Sequence, residues 1–403
     1  LASYNEGLFV NSQKYCFRDF VVVTRQKIGV IGGGQLAWMM AIAAKRLGLE
    51  LTVQAASPDD SAVGVADRIV YGEVTDAGAT AKLAEHCQVI TFENEFVDLV
   101  ALQKLTDRNL LFLPRLDTLA ISVDKLNQRQ HFRDHNIPTP EFYPVDTESE
   151  LLKAAELLGY PLVLKARRHG YDGKGTWVIA NEVDLRSAWE SMHRLPAIAE
   201  AFIPFERELA VIAARSQSGE ITIYPVVETF QTNQVCHRTI APARVDSTIT
   251  EKVETIAKQI VTTLDAIGIF GIEFFLTTTG EVSVNEIAPR THNSGHYTIE
   301  GCQTSQFEQL LRVVSGMDLG NVSMVAPVAV MVNLLGFEKS DGTDADYLDK
   351  RTAIASFPNT HIHWYNKKNS SIGRKLGHVT ILADTHDIAI SICDRIETIW
   401  YKY

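Results

Sequence analysis

A run of three glycines at the seam between two hydrophobic patterns most constrains what this chain can fold into. Lys27–Ile31 carries the short apolar run of a buried strand, Gly32-Gly33-Gly34 follows, and Gln35–Leu47 carries a helical pattern that ends near Gly48. A strand that feeds a helix through glycines opens a parallel α/β layer, because parallel strands need a crossover to return. The alternation continues with Leu49–Gln54 as a strand, Asp76–His86 as a helix and Val89–Phe92 as a strand. At 403 residues, two or three domains are expected.

The polar amphipathic helix around Asp124–His135 closes at Pro138 and Pro140, which puts the first boundary there. The expected division is 1–26, an extension of unknown role; 27–123, a Rossmann-like domain; 124–318, a central domain; and 319–403, a small C-terminal α/β unit. Residues 1–26 show no basic region leading into a long apolar stretch, so they do not read as a secretory signal. In the central region Thr147 and Glu150 have capping-box spacing before a helix that ends at Gly159. Short strands follow, then a long helix near Thr250–Ile267 and two β-rich runs, Phe270–Leu276 and Glu281–Ile287.

The formal net charge of −11 argues against non-specific binding to nucleic acid or membranes. An anionic ligand must then be met by a local basic cluster or by backbone dipoles. The five cysteines (Cys16, Cys87, Cys236, Cys302, Cys393) are odd in number and far apart, which fits reduced thiols in a cytoplasm.

The first glycine loop satisfies G-x-G-x-x-A, a fingerprint for a phosphate at a helix N-terminus. A dinucleotide site also needs an acid near the end of the second strand. That strand ends Val53-Gln54-Ala55-Ala56, with Asp59 and Asp60 only after Pro58, which counts against NAD and an oxidoreductase. The alternative is a tight turn without a ligand. The second loop, Gly170-Tyr171-Asp172-Gly173-Lys174-Gly175-Thr176, lies between two strands and is not a Walker loop. With Lys165, Arg167 and Arg168 just before it, it reads as a flap over nucleotide phosphates, a plain hairpin turn being the alternative.

If Thr279-Gly280 forms a two-residue turn, Glu273 lies opposite Glu286. Like charges about 4.5–5.5 Å apart across a ladder are destabilising unless a cation sits between them, and Mg²⁺ takes one or two carboxylates together with phosphate oxygens. A longer turn would separate the pair. Asn285 offers a further oxygen, and Arg290, His292 and Asn293 follow within a run dense in anion donors.

Taken in order, GGGQLA, TFENEF (91–96), VDKLNQRQ (123–130), KARRHGYDGKGT (165–176), EAFIPFERE (200–208), GIEFF (271–275), NEIAPRTHNSGH (285–296) and HWYNKKNSSIGRKLGH (363–378) resemble the N5-carboxyaminoimidazole ribonucleotide synthases. The resemblance runs from about Lys27 to the C-terminal end and implies an α/β ATP-grasp fold with an N-terminal Rossmann-like (pre-ATP-grasp) domain, a flap lobe at about 160–230 and a small C-terminal domain. It implies ATP- and bicarbonate-dependent carboxylation of 5-aminoimidazole ribonucleotide through carboxyphosphate, with release of ADP and phosphate. It also implies Mg²⁺, for which two ions would suit, and a cytoplasmic homodimer.

By position, the resemblance assigns Lys125, Lys165, Gly170–Thr176, Glu200, Ala201, Phe202, Ile203, Glu208, Glu228, Asn285 and Glu286 to ATP, and Glu273 with Glu286 to Mg²⁺. Tyr171, Asp172, Lys367 and Arg374 would bind the ribonucleotide, with Glu95 or Glu93 facing it. Asp172, Arg290, His292 and Asn293 would serve the chemistry. Another ATP-grasp ligase with a different acceptor, or a nucleotide-binding module without turnover, are the competing readings.

Overall fold

The computed structural model describes residues 26–106, 110–168, 175–232, 234–341 and 346–401. Its first layer is a five-stranded parallel sheet in the order Arg68–Tyr71, Glu50–Ala55, Lys27–Ile31, Val89–Phe92, Leu111–Phe112. Ile28, Val30 and Ile31 on the central strand are fully buried, which is why that strand is continuously apolar. The helix Gln35–Leu47 ends where the pattern says, because Gly48 takes the left-handed conformation (φ 69°) that terminates it. Its buried Ala37, Met40 and Ala44 share a core with Phe307, Leu310 and Leu311 of the helix Gln306–Val314, so the first domain is docked on the central one.

The central region holds two sheets. A small antiparallel sheet, in the order Phe142–Val145, Ala197–Ala201, Leu162–Ala166, Thr176–Ile179, shares a core with Leu151 and Ala154 of the helix Glu148–Leu158 and Leu185 and Trp189 of Glu182–Ser191. The capping box is present: Thr147 N donates to Glu150 Oε2 at 2.9 Å and Glu150 N to Thr147 Oγ1 at 3.3 Å.

The larger sheet runs Val282–Ala288, Gly268–Thr277, Phe205–Arg215, Val227–Thr232, Val235–Ala241, Val328–Leu335, Lys375–Ala383, Thr360–Trp364. Its back face packs Leu209, Val211, Ile272 and Phe274 against Val253, Ile256 and Ile260 of the amphipathic helix Ser247–Thr263. Three of the C-terminal strands join the large sheet, and only the short pair Ser340–Asp341 and Asn369–Ser370 stands apart among the described residues. Val328–Leu335 pairs with Val235–Ala241 and carries the central sheet onward, and the helix His386–Tyr401 covers it, with Trp400 Nε1 donating to Leu335 O at 2.8 Å.

Candidate active site

Alternation along a strand sends Glu208, Ala210, Gly271 and Glu273 to the front face of the large sheet and their neighbours to the back. Glu273 does face Glu286, but by another route than a two-residue turn. The hairpin loop is three residues long, 278–280, with Gly280 at φ 77°, and the pairs next to it are Leu276 with Val282 and Phe275 with Ser283. A β-bulge at Asn285 then restores the register, so that Glu286 meets Glu273. The bulge also brings Asn285 to the same place, its Nδ2 donating to Glu273 Oε2 at 3.3 Å.

Two lysines from different elements converge on this bulge. Lys125, first residue of the helix Lys125–Asp134, ion-pairs with Glu286. Lys165, at the end of a strand of the small sheet, lies 3.1 Å from Asn285 Oδ1 and 2.8 Å from Glu200 Oε2. Glu200 is buried and also takes Arg129 Nε at 2.7 Å, while Arg129 Nη2 donates to Asn285 O at 2.8 Å. Burial works to raise the Glu200 carboxyl, but Arg129 and Lys165 outweigh it and hold it at about 2. Burial lowers the Lys165 ammonium. Glu273 goes the other way, pushed up to about 7 by burial and by the neighbouring Glu286 and Glu208.

Beyond the bulge, Arg290 grips Glu95 with both arms of its guanidinium, Nε to Oε2 at 2.5 Å and Nη2 to Oε1 at 2.9 Å. His292 Nε2 is 3.5 Å from Glu273 Oε1, and its Nδ1 meets Ser294 Oγ at 2.8 Å. Gly271 is required beneath it, because a Cβ there would stand 2.4 Å from that of His292. Asn293 turns to the buried Asn333 instead, in a reciprocal amide pair of 3.0 and 2.7 Å.

The first glycine loop is filled by the chain itself. A Cβ on Gly32 would lie 2.4 Å from Glu93 Oε2 and one on Gly34 2.5 Å from Glu93 Oε1, so this carboxylate occupies the slot at the helix N-terminus. Burial pushes Glu93 up to about 7, with Arg290 opposing. Gln54, where a dinucleotide fold wants an acid, is buried and donates from Nε2 to Glu73 O at 2.6 Å. Glu93 therefore packs on the loop and Glu95 faces Arg290. Lys367 reaches this junction from the C-terminal region, its Nζ donating to Gln35 Oε1 and Lys375 O at 2.7 Å each, and the exposed Arg374 bonds Asn369.

Among the other positions assigned from the sequence, Ala201, Phe202 and Ile203 continue from Glu200 as a half-buried segment, and Thr176 pairs with Lys165 across the small sheet. Gly175 closes that hairpin, its carbonyl accepting from Ala166 N at 2.8 Å. Gly170, Tyr171, Asp172, Gly173 and Lys174 lie outside the described residues.

One assignment needs correcting. Glu228 pairs across the ladder with Leu209, so it points to the back face, where Arg207 Nη1 (3.2 Å) and Arg244 Nε (3.4 Å) take its carboxylate. The front-face neighbour of Glu208 on that strand is Thr229, and Gln231 two residues on hydrogen-bonds to Glu208, opposing the rise that burial imposes on it. Strand parity was the signal that would have found Gln231. Arg129 and Asn333 were also missed, since each acts through partners more than 35 residues away.

Residues 25–123 match the family model described as the ribonucleotide synthetase preATP-grasp domain, 130–307 the ATP-grasp domain, and 329–391 the phosphoribosylaminoimidazole carboxylase C-terminal domain. The N5-carboxyaminoimidazole ribonucleotide synthase of Synechococcus elongatus is 48% identical over 385 residues, covering 93% of this chain and 95% of its own. The chain belongs to the N5-carboxyaminoimidazole ribonucleotide synthase family. It is an ATP-grasp ligase, with the pre-ATP-grasp and C-terminal domains the sequence led one to expect. The Bacillus subtilis synthase is 37% identical over 362 residues, covering 89% of this chain and 92% of its own. A crystal structure of the Aspergillus clavatus enzyme in complex with ADP and 5-aminoimidazole ribonucleotide superposes with a TM-score of 0.86 at 33% identity, covering 93% of this chain and 98% of that one.

Proposed function

We propose that this ATP-grasp ligase joins ATP, bicarbonate and 5-aminoimidazole ribonucleotide into N5-carboxyaminoimidazole ribonucleotide, ADP and phosphate, and that the front face of the large sheet is where it does so. The observation that carries the reading is the convergence of Lys125 and Lys165, from two separate elements, on the Asn285–Glu286 bulge opposite Glu273. Cations fixed around a cleft are what phosphoryl transfer needs, because charge spreads over the transferring oxygens and the protein's part is positioning and neutralisation.

In this reading Lys125 and Lys165 contact the phosphates, with Gly170–Thr176 over them. The 200–203 segment borders the base through its backbone, since the Glu200 carboxylate is committed to Arg129 and Lys165. Glu208, with Gln231 beside it, takes the ribose hydroxyls.

Glu273 and Glu286 face each other as an all-oxygen pair that would suit a hard divalent cation, with the Asn285 amide turning its oxygen to Lys165 and its nitrogen to Glu273. An ion held there by two carboxylates would take its remaining ligands from phosphate oxygens and water. Mg²⁺ bound there supplies neutralisation of the phosphoryl oxygens. A single ion or two would suit the pair.

Arg290, oriented by Glu95, holds bicarbonate and then carboxyphosphate, with His292 beside Glu273 to donate a hydrogen bond. Asn293, held by Asn333, fixes the turn that presents them. Exclusion of water protects carboxyphosphate until the amine attacks its carboxyl carbon. Tyr171 and Asp172 face the ribonucleotide, with Asp172 as hydrogen-bond partner of the amine, and Lys367 and Arg374 meet its 5′-phosphate. The chain divides functionally at 123/124 and 318/319. It works as a cytoplasmic homodimer, the first half of that statement resting on the scattered cysteines and the second on the family resemblance.

ADP release measured with and without bicarbonate and ribonucleotide tests the reading. Arg290→Ala is expected to lower bicarbonate-dependent turnover by about 10³-fold while ATP affinity changes less than about threefold. An active variant would remove Arg290 from the chemistry, and ADP release that ignores the ribonucleotide would call for another acceptor.

A further inference from the structure

Asp124 makes more hydrogen bonds than its place in the chain requires. It is the N-cap of the helix Lys125–Asp134, its Oδ1 accepting from Leu126 N at 3.0 Å and Asn127 N at 3.4 Å. The same carboxylate also receives Arg167 through Nε (3.1 Å) and Nη2 (2.9 Å), and Arg168 through Nε (3.1 Å). It is 1% exposed. A cap needs only a short side-chain acceptor, and asparagine or serine serve as well as aspartate. Accepting one guanidinium with both oxygens and a second with one of them takes a carboxylate.

What those bonds connect is the two lysines. Lys125 follows Asp124 directly, and Arg167 stands two residues beyond Lys165 at the end of the strand Leu162–Ala166. A backbone bond from Lys125 N to Arg167 O (2.9 Å) runs beside the clamp. The helix end that presents Lys125 and the strand end that presents Lys165 are thereby tied together close to the bulge, where the lysines meet Glu286 and Asn285. Arg167 and Arg168 line one narrow cleft with Lys125, Glu286 and Glu95.

We propose that Asp124 is a positioning residue for phosphoryl transfer, fixing Lys125 and Lys165 at the spacing at which both reach the nucleotide's phosphates. This rests on the reading above, in which those lysines are phosphate ligands. The carboxylate stays ionised in its buried place: burial works to raise it, and the hydrogen bonds from Arg167 and Arg168 outweigh that and hold it below the ordinary aspartate range.

Asp124→Asn separates the two jobs, because it keeps the cap and loses the charge. A misplacement of about 1 Å in a reacting arrangement costs on the order of 10²-fold, so kcat for bicarbonate- and ribonucleotide-dependent ADP release should fall about 30- to 100-fold. The ADP dissociation constant should change less than about fivefold, and the circular dichroism spectrum should stay that of the parent. Wild-type kcat in a folded Asp124→Asn enzyme overturns the proposal and leaves Asp124 a helix cap. Should that variant not fold, the Arg167→Gln/Arg168→Gln double variant loosens the same clamp from its more exposed side, with side chains 24% and 55% exposed. It is expected to lower kcat about tenfold, and unaltered kcat there overturns the proposal equally. Lys125→Ala and Lys165→Ala are the controls. If both retain turnover, the parent reading falls and takes this one with it; if both lose it while the clamp variants do not, only the positioning role falls.

Discussion

The two faces of the large sheet treat the same residue type in opposite ways. On the back, Glu228 is buried against two arginines and its charge is met within the chain. On the front, Glu208, Glu273 and Glu286 crowd one another with Lys125 as the paired cation, and Glu273 is driven up to about 7. A fold can keep a carboxylate for its own stability only where it supplies the counter-charge. Where it does not, the group is held at a cost that a ligand can offset. Strand parity, one residue either way, decides which of the two a glutamate becomes.

The largest expected effect comes from the crowded front face. Glu273→Gln should lower bicarbonate-dependent ADP release by about 10³-fold. The same variant without nucleotide should melt no lower than the parent, because it relieves like-charge crowding. A melting temperature that drops as far as the activity would show Glu273 to be a structural residue, and the contrast between the faces would collapse.

Next is the buried cluster that supports the site from beneath. Glu200→Gln leaves Arg129, 2% exposed, and Lys165, 8% exposed, without their shared counter-charge. Breaking a buried pair by removing one partner costs about 3–5 kcal/mol, so chemical denaturation should show a loss of that order. A loss under about 1 kcal/mol would mean that water reaches the cluster.

The first domain and the start of the central one were legible in the sequence because their signals are local. A glycine after a strand, another at a helix C-terminus and a Thr-x-x-Glu box each act within a few residues, and Gly34, Gly48 and Thr147 do what their neighbours predict. The facing of Glu273 and Glu286 was reached through a two-residue turn, whereas a three-residue loop and a bulge at Asn285 offset each other. No local pattern announces a bulge that exists to turn Asn285 into a cleft. The extension of the central sheet by Val328–Leu335 was hidden for a related reason. Its partner Val235–Ala241 lies almost ninety residues earlier in the chain, and nothing in either strand names the other. Glu228 was misassigned because its face follows from pairing with Leu209, a contact made across the ladder.

Glu93 tests the contrast through pH. Burial raises its folded pKa to about 7 from an ordinary value of 4.5. The folded protein therefore binds a proton that the unfolded chain has released between those values. The stability tied to this group is fully present below pH 4.5 and is lost as pH rises through 7. Glu93→Gln keeps the shape over the glycine loop and never ionises. Relative to the parent it should gain about 2 kcal/mol more at pH 8 than at pH 5. A difference that does not vary with pH would mean that Arg290 and Lys367 keep Glu93 ionised, and the loop would then hold a paired carboxylate of the back-face kind.

The smallest expected effect is on the back face itself. Glu228→Gln keeps one acceptor for the half-exposed Arg207 and Arg244, so the loss should be only about 1 kcal/mol. Turnover and nucleotide affinity should stay within about twofold of the parent. This is where the division between the faces is most easily broken. A tenfold loss of ATP affinity in Glu228→Gln would require its carboxylate to act on the cleft from behind, through the strand it shares with Thr229 and Gln231. Parity would then no longer separate a structural glutamate from a functional one. Unchanged affinity, beside a Gln231→Ala variant that weakens ATP binding, would place the boundary of the site between two residues of one strand.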